Sequence, residues 1–105
     1  MAVRPPQSLS GGYRFETGDS ILDAELAGEK AHALGRMGRA AEAALARLND
    51  PEAVEAEGRE ALLKAAAQAV WAWFIQRESC GLRDHKAIIR DFGIPRAVLV
   101  RLGAR

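Results

Sequence analysis

The chain has 105 residues, a length that suits one domain with one core, and 21 of its hydrophobic residues are alanine, which favours helix but buries little apolar area. A net charge of +1 excludes a strong overall field toward nucleic acid or anionic lipid. The single Cys80 excludes an internal disulfide, and no apolar run suits a signal peptide or a membrane span, so we expect a cytoplasmic protein that does not enter membranes.

The N-terminal residues 1–18 are rich in Pro, Gly and Ser, which predicts a tail, with a single helical domain over 19–105. A first helix is predicted over about 20–48, because Asp19 and Ser20 can cap it. At 100° per residue its apolar side chains form one stripe, made by Leu22, Leu26, Ala33, Met37, Ala40, Ala44 and Leu48.

A sharp boundary follows at Asp50 and Pro51, an N-cap residue and a favoured first helical residue. The pattern predicts a second helix over about 52–80, ended by Gly81. Because the connection is so short, the two helices are expected to form a long antiparallel hairpin.

The second predicted helix is apolar nearly all round at its end. Trp71 and Ile75 point away from the face that carries Leu62 and Trp73, and a single neighbouring helix covers only one side. Small residues at Ala61, Ala65 and Ala72 would allow another helix to approach closely. We therefore expect a homodimer that resembles a four-helix bundle, with these five residues at its interface: Trp71, Ile75, Ala61, Ala65 and Ala72.

Two short helices are predicted at the C-terminus, over about 85–92 and 95–102, separated by Gly93 and Pro95. Their apolar residues are a natural cover for the aromatic end of the second helix. These residues also fit a helix-turn-helix pattern. Residues 83–105 contain six basic and two acidic side chains, an excess of four positive charges that favours contact with phosphate. The candidate nucleic-acid contacts are Lys86, Arg90, Arg96 and Arg101. Two observations argue against DNA binding. Ile89 is bulky where such motifs have a small residue, and the would-be recognition helix over 95–102 stops at the chain end.

Cys80, Asp84 and His85 lie close in sequence and raise the alternatives of a thiol nucleophile or part of a metal site. Their spacing matches no zinc signature, and a lone cysteine on an apolar helix face is more often a small core residue. No catalytic, metal or cofactor site is predicted.

Two segments are similar to the best-defined blocks of a bacterial family of small helical proteins of unknown function, found mainly in alphaproteobacteria. They are SILDAELAGEKAHALGRMG at 20–38 and QRESCGLRDHKAIIRDFGIP at 76–95. The resemblance implies a small helical protein and supplies no activity or site.

Taken together, the sequence favours a non-enzymatic helical protein that self-associates and docks a protein partner. The alternative is a small DNA-binding protein that uses residues 85–102. A third interpretation places a thiol or metal site at Cys80 and His85.

Overall fold

The computed structural model describes residues 18–104, which form helices and turns only. The all-helical class predicted from the sequence is confirmed, with one long helix and several shorter ones. The elements in chain order are α1 (Gly18–Arg47), α2 (Pro51–Glu57), α3 (Arg59–Ser79), α4 (Lys86–Asp91) and α5 (Arg96–Leu99). Of the predicted tail over 1–18, all but Gly18 lies outside the described residues.

The chain divides into two compact units within α1. The first extends to Lys30, and its described part is helix with exposed apolar side chains at Ile21, Leu22 and Leu26. The second unit, from Ala31 to the C-terminus, contains the core. The prediction of a single domain over 19–105 stays a prediction.

The turn between α1 and α2 follows the predicted boundary. The side chain of Asp50 accepts a hydrogen bond from the backbone N–H of Glu52 at 3.1 Å, and Pro51 is the first residue of α2. An ion pair between Arg47 and Glu57 joins the end of α1 to the end of α2. Local capping chemistry therefore places this boundary where the sequence indicates it.

The second helix is not continuous, and the prediction of one helix over 52–80 is wrong at Gly58. Gly58 has φ 88° and ψ 145°, a conformation outside the helical region that is essentially restricted to glycine. The helix therefore ends at Glu57 and begins again at Arg59. Only glycine, which has no Cβ, allows this change of direction at low cost.

Replacing Gly58 with alanine is expected to destabilise the protein by about 1–3 kcal/mol, because a Cβ disfavours this backbone conformation. The free energy of unfolding, measured in urea, tests this. Gly35→Ala is the control, since Gly35 lies inside α1 and an added Cβ there would meet only the flexible end of Arg39. A Gly58→Ala protein as stable as the wild type would contradict the assignment of a glycine-dependent break.

The core lies between the second half of α1 and α3. Gly38 of α1 lies so close to Trp73 that a Cβ on it would be 3.2 Å from the indole Nε1. Gly38 and Trp73 each lie more than two turns from α2, which connects the two helices. Their contact therefore means that α3 runs back along α1. The buried residues of the core up to the end of α3, including Ala53 of α2, are Ala41, Leu45, Leu48, Ala53, Leu62, Leu63, Ala66, Ala67, Val70, Trp73 and Phe74.

The C-terminal segment covers the Trp73 side of the aromatic end of α3, as the sequence predicts, but leaves Trp71 and Ile75 about half exposed. Its last helix ends at Leu99, so the prediction that this helix reaches 102 is wrong. Ile94 and Val98 are buried in the same core, and α5 packs against α3. Phe92 meets Trp73 edge to face, with ring centroids 5.0 Å apart. Two glycines with positive φ, Gly81 and Gly93, follow α3 and α4 and direct the chain back to the core.

Across the described part of the chain, every helix is too short or too polar to cross a membrane.

Candidate functional site

The side of α3 that faces away from the core is a continuous exposed surface, which we name the α3 face. Its residues recur at helical spacing and all are exposed. They are Ala61, Ala65, Gln68, Trp71, Ala72 and Ile75. The structure therefore brings together all five residues predicted for an interface and adds Gln68 among them.

The α3 face is unusual because it carries two large apolar side chains and no charge over about three turns. Trp71 is 45% exposed and Ile75 is 46% exposed. No residue from Ala65 to Gln76 is charged. The solvent-facing side of a surface helix is normally polar or charged, so this surface has the composition of a helix face that packs against another element.

A groove of about 500 Å³ borders the α3 face on the side of Trp71. The C-terminal segment forms its other wall, where Gly103 lies against the indole with a would-be Cβ 3.5 Å from the ring. The groove is lined by Glu60, Lys64, Gln68, Trp71, Arg101, Gly103 and Ala104. The C-terminus thus covers one edge of Trp71 and leaves the rest of the ring accessible.

Glu60 and Arg101 connect the two walls of the groove. The guanidinium donates from Nε to Oε2 at 3.1 Å and from Nη2 to Oε1 at 2.9 Å, a two-pronged arrangement. The hydrogen bond from Arg101, helped by its charge, lowers the pKa of Glu60. A lowered carboxyl pKa means that the pair stabilises the fold above the ordinary pKa of glutamate, and this contribution is lost as the pH falls through the lowered pKa.

A second cluster lies at the C-terminal end of α3, around His85. The imidazole stacks on Phe74 with centroids 4.1 Å apart, and its Nδ1 accepts a hydrogen bond from Nε of Arg77 at 3.1 Å. Its Nε2 lies 3.0 Å from Oε2 of Glu78. Because the arginine can only donate to Nδ1, the proton of the neutral ring is on Nε2, directed at the carboxylate.

These contacts bear on the thiol and metal interpretation of Cys80 and His85. Both ring nitrogens of His85 are engaged by Arg77 and Glu78, so a role as base or ligand requires breaking one of these bonds. Between Gly18 and Ala104, no three His, Cys, Asp or Glu side chains are grouped to hold a metal ion. The arrangement has the form of a structural link between α3 and the start of α4.

A family model for proteins of unknown function, DUF6665, matches residues 1–105, the whole chain. The chain belongs to DUF6665. The similarity seen in the two sequence blocks is thereby confirmed at the level of the family. No curated protein and no solved structure matches this DUF6665 protein.

The four candidate nucleic-acid contacts differ in whether they are already paired with a carboxylate. Arg101 is bound to Glu60 and to the carbonyl oxygen of Ala97, and Arg90 pairs with Asp91. Lys86 and Arg96 are exposed. Arg101 would have to leave Glu60 before it contacted a phosphate, and α5 is a single turn of four residues, too short to extend across several base pairs.

Three features of these sites were not predicted from the sequence: the place of Gln68 in the α3 face, the Glu60 to Arg101 pair and the contacts of His85. Gln68 continues the helical spacing of the α3 face and was available from the periodicity alone. The Glu60 to Arg101 pair joins positions 41 residues apart, a separation that leaves no local signal. The contacts of His85 depend on how the chain turns at Gly81, which sequence spacing does not specify.

Proposed function

We propose that this protein is a non-enzymatic helical protein that forms a homodimer through the α3 face. The observation that carries the proposal is the exposed, uncharged surface over Ala65 to Ile75, with Trp71 and Ile75 at its centre and end. Apolar area removed from water contributes about 25 cal/mol per Å², and aromatic residues dominate such interfaces. Pairing two copies here would give an assembly that resembles a four-helix bundle, with α1 and α3 from each copy.

The polar groups of the described residues support a role in binding over one in catalysis. The histidine that sequence spacing offered as a base, His85, has both nitrogens occupied, and the Glu60 to Arg101 ion pair connects α3 to the C-terminal segment. A protein partner with a complementary apolar helix would use the same α3 face. Homodimerisation and docking of such a partner are therefore competing uses of one surface.

Placing a charge in the α3 face tests self-association. Ala72→Glu puts one carboxylate from each copy into the proposed interface, where two like charges lose water and repel. Because Ala72 is exposed, the substitution should leave the fold intact. We expect the wild type to sediment as a dimer at micromolar concentration and the Ala72→Glu protein to sediment as a monomer with an unchanged helical circular dichroism spectrum.

Ala43→Glu is the matched control, since Ala43 is an exposed alanine on α1 outside the α3 face. This variant should dimerise like the wild type. A monomeric wild-type protein at micromolar concentration would reject the proposal, as would a dimer unaffected by Ala72→Glu.

A further inference from the structure

The pattern of side chains on α3 also specifies how two copies would be oriented. Lys64 precedes Trp71 by seven residues and Glu78 follows it by seven, so all three lie along one side of the α3 face. A two-fold axis near Trp71 that pairs two α3 helices in antiparallel orientation exchanges the positions of Lys64 and Glu78. Each lysine then meets the glutamate of the second copy.

We propose that the two α3 helices pack antiparallel about a two-fold axis near Trp71, held by Lys64 to Glu78 ion pairs between copies. This inference rests on the proposed homodimer and goes further by naming its orientation. A parallel pairing in register would instead place the two lysines together and the two glutamates together, which is unfavourable. Charge complementarity therefore selects the antiparallel arrangement.

The charged groups have the exposure that such a contact requires. Lys64 is exposed and makes no ion pair with another described residue. Glu78 binds His85 through Oε2, and its side chain is 42% exposed, so its other oxygen can accept from a lysine of the second copy. The same carboxylate would then connect the dimer contact to the His85 link.

The sizes of the face residues fit the same orientation. With the axis at the level of Val70, one residue from the midpoint of Lys64 and Glu78, Ile75 of one copy faces Ala65 of the second copy, and Gln68 faces Ala72. Large side chains then oppose small ones, which allows the helices to approach closely. The two Trp71 rings lie side by side across the axis and cover the area that Gly103 leaves open.

Disulfide trapping tests the orientation. Helices about 8–10 Å apart, each with Cα atoms on a radius of about 2.3 Å, bring facing Cα atoms to about 3.4–5.4 Å, and the upper part of this range overlaps the disulfide range of about 4.4–6.8 Å. In a Cys80→Ser background, chains that carry Gln68→Cys and chains that carry Ala72→Cys are oxidised singly and as a mixture, with the two chains of different mass. We expect the mixed disulfide to be the main product, and each chain alone to cross-link at least five-fold less.

The outcomes separate this inference from the proposed function. Efficient cross-linking of each chain with itself, in a protein that is dimeric by mass, would overturn the antiparallel orientation and leave the dimer standing. A dimer that gives no disulfide in any combination would place the contact elsewhere and overturn the inference as well. A monomeric wild type would reject the proposed homodimer and, with it, the antiparallel orientation.

A charge exchange gives an independent measure of the same contact. Lys64→Glu should raise the dimer dissociation constant at least ten-fold, because it faces Glu78 of the second copy, and mixing it with a Glu78→Lys protein should restore association. Glu78→Gln separates the ion pair from the His85 link: an amide oxygen preserves the bond to His85, whereas the charge that Lys64 meets is lost, so this variant should also weaken association. Failure of the mixture to associate better than either variant alone would count against the ion pair.

Discussion

Replacing Trp73 with alanine is expected to destabilise the protein by about 3–5 kcal/mol, the usual cost of removing a large aromatic side chain from a core. Trp73 is only 6% exposed and touches Gly38 of α1, Phe74 of α3 and Phe92 after α4. It therefore joins three parts of the chain. Since small domains are stable by about 5–15 kcal/mol, this one change removes a large share of the total.

The natural control is Trp71, a residue of the same type two positions earlier in the same helix. Because Trp71 is 45% exposed, Trp71→Ala should cost far less folding stability, while it weakens the proposed dimer. Thermal unfolding followed by circular dichroism should show a fall of at least about 12 °C in Tm for Trp73→Ala at low protein concentration. Equal falls for the two variants would mean that the core is not organised around Trp73.

Replacing Val98 with aspartate is expected to cost on the order of 3–5 kcal/mol, as for other buried charges without a partner. Val98 is fully buried at the contact between α5 and α3. The substitution should release the C-terminal segment and expose the aromatic end of α3. Binding of a hydrophobic dye together with a lower urea midpoint would report this release.

Val100→Asp is the matched control for this effect. Val100 follows two residues later and is 62% exposed, so a carboxylate there stays in water and stability should change little. If Val98→Asp proved as stable as Val100→Asp, the C-terminal segment would be separable from the core. That result would revive a role for residues 85–102 as an independent binding module.

Local chemistry explains which parts of the fold were predictable. Several signals determine the backbone of only the few residues around them. They are the side-chain cap at Asp50, the proline after it, and the left-handed glycines Gly81 and Gly93. Helix boundaries at these positions follow from the sequence. The break at Gly58 did not, because a glycine within a helical pattern is often tolerated and no other residue nearby signals an end.

The α3 face could be predicted for the same reason that the core could. Helical periodicity places Trp71 and Ile75 away from Trp73 whatever the tertiary structure, and their composition then requires a cover. Contacts between distant segments had no such signal. The Glu60 to Arg101 pair and the binding of His85 by Arg77 and Glu78 depend on where the C-terminal segment lies against α3.

The contrasting surroundings of the two indoles make the protein its own optical probe. Trp73 lies in the interior, whereas Trp71 is 45% exposed in a single copy, so a soluble quencher such as acrylamide should reach Trp71 in the monomer and largely spare Trp73. Pairing through the α3 face should then protect Trp71 from the quencher. Single-tryptophan proteins with phenylalanine at the other position would give separate emission signals. Surface events at α3 and loosening of the interior could then be followed independently in the same chain without any attached dye.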